Sequence, residues 1–145
     1  MSQDRATFQQ LAEARLVEAR LLLAHGHPSG AYYLAGYAIE CALKAVIAAG
    51  FRANEIPDKP RVNSIYTHNL KDLLNLADLK GPLEDDMNEN SELRESWATI
   101  SKWSEHARYQ VWTSDAAAIM LEAVGAADKG CHGYRNARRS KGRGV

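Results

Sequence analysis

The chain has 145 residues, 46% of them hydrophobic, which suits one domain with a sizeable core. Eighteen basic residues balance eighteen acidic ones, so the net charge of zero singles out neither a nucleic-acid nor a membrane partner. The two cysteines, Cys41 and Cys131, lie too far apart for a paired metal or redox motif and give no disulfide framework. Together with an N-terminus that lacks a signal-peptide pattern, this predicts a cytoplasmic protein.

Helical periodicity runs through every long segment, and no alternating strand pattern stands out. Val17 and Leu21 fall on one side of a first helix predicted over residues 4–25, where a second subunit could cover them. The opposite, broader apolar face consists of Phe8, Ala12, Leu16, Ala19 and Leu23. We therefore expect a homodimer that forms through the first two helices.

The second helix is predicted from residue 28 or 29 to residue 50 and is almost wholly apolar. Two opposite charges, Glu40 and Lys44, interrupt it one turn apart, in the favourable orientation for an ion pair. At about 100° per residue they share a stripe with Tyr33 and Tyr37. Because charges are expensive at the centre of a bilayer, we do not expect this segment to span a membrane.

The middle of the chain is predicted to be less regular. Residues 51–66 contain two prolines and read as a long loop. Thr67 is a plausible N-cap for a short helix that follows it. The Gly81-Pro82 dipeptide predicts a break, after which residues 83–107 form a further helical region, interrupted near residues 88–91.

The C-terminal part predicts a long closing helix and a tail. Thr113 or Ser114 is expected to cap the last helix. The final fifteen residues carry five basic side chains and no acidic one. We therefore predict one domain over residues 1–134, an all-α up-and-down bundle of four to five helices, and a disordered basic tail over residues 135–145.

Three sequence blocks, in this order, resemble the HEPN domain, a helical module of prokaryotic gene pairs. They are the alanine-rich segment 31–48, the stretch Thr67-His68-Asn69-Leu70, and the segment from Trp103 to Arg108-Tyr109. The resemblance covers roughly residues 5–128. It implies a helical bundle that usually dimerises and is often encoded beside a minimal nucleotidyltransferase, as a toxin–antitoxin-like pair. Some members cleave RNA, others bind nucleotides, and others are inert interaction modules.

The ribonuclease signature of that family is an arginine followed, about four to six residues later, by a histidine. This sequence departs from it, because Arg108 has no downstream histidine at that spacing. A literal match at Arg20 and His25 lies at the end of the first helix, and we interpret it as a coincidence. His68 or His106 would have to replace the missing histidine, so the sequence leaves open whether the protein is an enzyme.

The candidate ligand-binding residues come from all three blocks: Tyr33, Tyr37, Glu40, Lys44, His68, Arg108 and Tyr109. Cations and aromatic rings together are what the recognition of a nucleotide or RNA requires. The alternatives are a metal-independent endoribonuclease, with His68, His106 and Arg108 as candidate catalytic residues, and a dimeric scaffold without a ligand. The pair His25 and His27 has no evident third ligand, and we expect neither a metal nor a cofactor.

Overall fold

A computed structural model describes residues 5–50, 56 and 59–127, and every regular element in these ranges is helical. The α-helices are α1 (Arg5–Ala24), α2 (Pro28–Ala49), α3 (Lys59–Ser64), α4 (Leu70–Leu76), α5 (Lys80–Glu89), α6 (Ser91–Ile100) and α7 (114–127). A single 3-10 helix, Glu105–Tyr109, precedes α7. The predicted all-α fold class is therefore confirmed.

Helices α1 and α2 form an antiparallel pair, joined by a turn that the local sequence specifies. Gly26 adopts a φ of 81°, a left-handed conformation that costs glycine little. Pro28 then occupies the first turn of α2, where a missing N–H is no loss. On α1 the predicted face packs inward at Phe8, Leu16 and neighbouring alanines, and the opposite side stays exposed.

Helix α2 is the centre of the bundle, with thirteen buried residues on all its sides. Its many alanines and Gly36 allow neighbouring helices to approach closely. It is also the one helix among the described residues that is long and apolar enough to cross a membrane by length and composition. The helix is 78% buried within the protein over that window, as a core helix is.

Three predictions about the middle of the chain were wrong. The segment predicted as irregular contains α3. The N-cap of α4 is Asn69, whose side chain accepts from the Asp72 N–H at 3.1 Å, while Thr67 accepts from the Asn69 N–H. The dipeptide Gly81-Pro82 does not break the chain but lies in the first turn of α5, where proline is tolerated.

The interruption predicted near residues 88–91 is confirmed at Asn90. This residue ends α5 with an extended backbone, and its side chain caps α6 by accepting from the Leu93 N–H at 3.1 Å. At the start of α7, the Thr113 hydroxyl accepts from the Ala116 N–H at 3.1 Å, so of the two predicted caps Thr113 is used. Residues 128–145, including Cys131, His132 and the predicted tail, lie outside the described residues.

Two tryptophans attach the C-terminal half of the domain to α2. The ring of Trp112 stacks on Tyr32 with centroids 3.7 Å apart, its backbone N–H donates to the Ser29 hydroxyl, and its indole N–H donates to the Ala107 carbonyl. The indole of Trp103 lies directly on the backbone of α2 at Gly36, and any Cβ at that position would overlap the ring. The 3-10 helix between the two tryptophans is therefore held against α2 at both ends.

Candidate ligand-binding site

The polar stripe of α2 is centred on Glu40, which is only 1% exposed although it is a carboxylic acid. Lys44, one turn further on, places its Nζ 3.5 Å from Glu40 Oε2. The predicted i, i+4 ion pair is thus present. A carboxylate this deeply buried needs hydrogen bonds as well as a counter-charge, and a single lysine does not supply enough of them.

His68 supplies the second partner of Glu40. Its Nδ1 lies 2.8 Å from Glu40 Oε1, and its Nε2 lies 3.7 Å from Glu105 Oε2 on the 3-10 helix. The Asn69 cap fixes the start of α4 and so directs the preceding residue, His68, across α2. The half-exposed imidazole of His68 therefore lies between the buried carboxylate of Glu40 and the partly exposed carboxylate of Glu105, and its Nδ1 is hydrogen-bonded to Glu40.

An aromatic row continues the stripe towards the start of α2. The ring of Tyr33 lies 6.2 Å from that of Tyr37 and 5.9 Å from that of Trp103, in stacked orientations. The Trp103 indole N–H donates to the Tyr33 carbonyl at 3.2 Å. Burial raises the pKa of Tyr37, and the neighbouring Cys41 and Glu40 raise it further, so this phenol stays protonated at neutral pH.

Arg108 and Tyr109 project from the 3-10 helix at the exposed end of this row. The Arg108 guanidinium lies 4.8 Å from the centre of the Tyr109 ring, and Tyr109 is 74% exposed. The pKa of Arg108 is raised, first by Tyr109 and to a smaller degree by Tyr33. Within the described ranges Arg108 has no carboxylate partner, so its charge is available to an anion.

The structure thus arranges the predicted residues in two adjoining groups. The first group is a polar row whose members pair with one another: Lys44, Glu40 and His68. The second group is an open surface of two phenol rings and one cation: Tyr33, Arg108 and Tyr109. Tyr37 lies between the two groups. His106 is exposed beside them. Sequence reasoning missed Glu105, Trp103 and Gly36 as parts of the site. For Glu105 a signal existed, since it lies three residues before Arg108 on the same short element.

The histidines of the first turn do not contribute to this site. His25 and His27 are exposed at the end of the α1–α2 pair. In the part of the chain that the structure describes, no group of three or more histidine, cysteine, aspartate or glutamate side chains is placed to hold a metal ion. The buried Cys41 lies next to Glu40, and burial raises the pKa of its thiol to about 11.

The family model of the HEPN domain matches residues 8–127. The chain belongs to the HEPN domain family. Neither the curated proteins nor the solved structures include one that matches the chain significantly. Membership is consistent with a function related to nucleotides or RNA, and it places the α2 stripe, His68 and the Arg108-Tyr109 pair inside the HEPN domain.

The ribonuclease signature is not completed by this HEPN domain at Arg108, because the residues that follow it lead to Trp112 and α7 without a histidine. The literal match consists of Arg20, exposed on α1, and His25, exposed in the turn that follows α1. His68 approaches the 3-10 helix from a different segment, with its Nε2 3.7 Å from Glu105 Oε2.

Proposed function

We propose that this HEPN domain binds a nucleotide or single-stranded RNA at the surface formed by Tyr33, Arg108 and Tyr109. The observation that carries the proposal is the exposed guanidinium of Arg108, which lies 4.8 Å from the centre of the exposed Tyr109 ring and has no carboxylate partner among the described residues. A phosphate takes up the bidentate donors of an arginine, and a base stacks on an exposed aromatic ring. Lys44 and His68 are both engaged by Glu40, so in this proposal they are neighbours of the surface and not direct ligands.

The experiment is a binding titration of labelled single-stranded RNA, and of a nucleoside triphosphate, followed by fluorescence anisotropy at two salt concentrations. Arg108→Ala should weaken binding by about 10- to 100-fold, which corresponds to the loss of charge-assisted hydrogen bonds worth about 1.5–3 kcal/mol. Arg20→Ala, an exposed arginine on α1, is the matched control and should bind as the wild type does. Equal binding by the Arg108 variant, with an unchanged circular dichroism spectrum, would refute the proposal.

A second candidate function, a metal-independent endoribonuclease, is favoured by the geometry of His68. A carboxylate on Nδ1 orients an imidazole so that Nε2 can exchange a proton with a substrate hydroxyl, and Arg108 would stabilise the anionic phosphate. Incubation of labelled RNA in the presence of a chelator tests this. Cleavage that His68→Ala abolishes and His106→Ala preserves would support the ribonuclease function. If the wild type does not cleave the RNA, the ribonuclease function is refuted, and the binding function is the one that remains.

The biological setting we propose is a two-component, toxin–antitoxin-like pair with a nucleotidyltransferase, in the cytoplasm. A homodimer is supported by α1, where Val17 and Leu21 are 54% and 55% exposed on the face opposite the core. Sedimentation of the wild type and of a Val17→Glu, Leu21→Glu variant measures the oligomeric state. A monomeric wild type would refute the dimer. For the pair, co-expression with a nucleotidyltransferase encoded next to it should yield a complex that survives gel filtration.

A further inference from the structure

A groove lies on the side of the molecule where α4 faces the α5–α6 pair, with a volume of about 680 Å³. Helix α4 packs on α2, and α5 packs on α6, and the groove lies between these two pairs. The floor of this groove is apolar and consists of Leu70, Leu74, Leu83, Met87 and Trp97. Leu74, Met87 and Trp97 are only partly buried, so the floor is accessible to a partner.

Among the described residues that line the groove, the charged side chains are basic, and His68 lies at one end. Lys71, Arg94 and Lys102 are exposed around it, and no aspartate or glutamate is among the residues that line it. The contrast with the rest of these elements is marked, because α5 and α6 together carry six carboxylates and none of them faces the groove. Charge is therefore segregated, and the occupant that complements the groove is acidic at its edges and apolar at its centre.

The form of the groove distinguishes between occupants. A small molecule is usually enclosed over most of its surface and oriented by buried polar groups. This groove is open along one side, and the indole N–H of Trp103, a polar group on its wall, is already donated to the Tyr33 carbonyl. RNA would be attracted by the rim, but Trp97 is the one aromatic side chain among the floor residues named above, and the leucines and the methionine give further bases little to stack on.

We infer that the groove between α4 and the α5–α6 pair is a docking site for an acidic amphipathic helix of a partner protein. The apolar face of that helix occupies the floor, with anchors at the spacing i, i+3, i+4 and i+7. Its carboxylates pair with Lys71, Arg94 and Lys102. Arg94 is held in position for this because its Nε and Nη2 donate to the Met87 carbonyl across the α5–α6 turn, at 3.2 and 2.8 Å. The groove borders the candidate ligand-binding site at His68 and Trp103, but Tyr33, Arg108 and Tyr109 do not line it, so peptide docking does not require nucleotide binding.

The test uses a fluorescein-labelled helical peptide of about 20 residues, with leucines at the anchor spacing and glutamates on the flanking positions. Binding is measured by anisotropy against the full chain. Lys71→Glu combined with Lys102→Glu should weaken binding by about tenfold or more, because like charges then face each other. Lys59→Glu combined with Lys80→Glu reverses two exposed lysines that do not line the groove, and it should leave binding unchanged. Circular dichroism confirms that both variants fold.

Three further arms decide the outcome. A peptide of the same composition in scrambled order should bind about tenfold more weakly than the amphipathic one. Arg108→Ala should bind the amphipathic peptide normally, so a failure of RNA binding does not affect this result. The inference is overturned if both double variants bind the peptide equally. The fluorescence of Trp97, identified as the part of the signal that Trp97→Phe removes, reports on occupancy of the groove. The inference is also overturned if single-stranded RNA or a fatty acid such as decanoate quenches this fluorescence and the peptide does not.

Discussion

The contact between Gly36 and Trp103 gives the sharpest stability prediction. Glycine is a poor helix former, so Gly36→Ala in the interior of α2 should by propensity alone stabilise the protein by about 1 kcal/mol. The indole of Trp103 occupies the space that the new methyl group needs, and Trp103 is itself only 5% exposed. The ring cannot move outward without uncovering apolar surface and releasing the hydrogen bond to the Tyr33 carbonyl.

The sign of the stability change for Gly36→Ala depends on whether the cost of the overlap exceeds the gain in helix propensity. Overpacking in a dense core costs about 1–3 kcal/mol, and a lost hydrogen bond adds about 1 kcal/mol. After subtraction of the propensity gain, the net free energy of unfolding should fall by about 1–3 kcal/mol. Urea denaturation followed by tryptophan fluorescence measures this change, and the slope of the transition should be unaltered.

Two comparisons separate the contact from a general effect of alanine. Gly125→Ala is also inside a helix, but its Cβ would meet only the Arg20 guanidinium, at an ordinary 3.6 Å, so it should be neutral or stabilising by up to about 1 kcal/mol. In a Trp103→Ala background the obstacle is gone, and Gly36→Ala should then stabilise rather than destabilise. If Gly36→Ala is at least as stable as the wild type, the placement of Trp103 against α2 is wrong.

Three further predictions concern single side chains. Glu40→Ala should lower the free energy of unfolding by about 3 kcal/mol in urea titrations, because it leaves the largely buried ammonium group of Lys44 without its counter-charge; a loss below about 0.5 kcal/mol would contradict the ion pair. In a Cys131→Ala background, Cys41 should react with a disulfide reagent at pH 8 only when the chain unfolds. The pKa of the Cys41 thiol is about 11 in the folded state, against an ordinary 9.0, so the folded protein favours the neutral thiol. The stability that this thiol contributes should therefore be lost as the pH rises from 9 to 11, by up to about 3 kcal/mol. Asn90→Ala should cost about 1 kcal/mol in thermal unfolding by removing the cap of α6, and Asn88→Ala, which removes no cap, should not.

The parts of the fold that follow from local chemistry could be predicted from the sequence. The end of α1 depends on Gly26 and the start of α2 on Pro28, and both act within one turn of the backbone. The pair Glu40 and Lys44 is likewise a matter of helical spacing. The errors arose where local signals compete, as at Gly81-Pro82, where the same dipeptide is compatible with a turn or with the first turn of a helix.

The site could be predicted only in part for a different reason. Glu40 and His68 are 28 residues apart, and no periodicity connects a helix with the residue before another helix. Their contact depends on how α4 packs on α2, which is a tertiary property. Arg108 and Tyr109, in contrast, are adjacent in sequence, so their proximity could be predicted. They lie at the surface because Trp103 and Trp112, on either side of them, pack against the core.

The order of elements along the chain has a consequence for synthesis. The most apolar helix is made second, yet the groups that close over it come late: the Trp103 indole meets α2 from 70 residues further on, and the Trp112 backbone from 83. A growing polypeptide therefore presents an apolar helix that only α1 and α4 can cover until the two tryptophans have left the ribosome. Chaperones that hold nascent chains have a natural target in that interval, and a prematurely terminated product would expose it permanently.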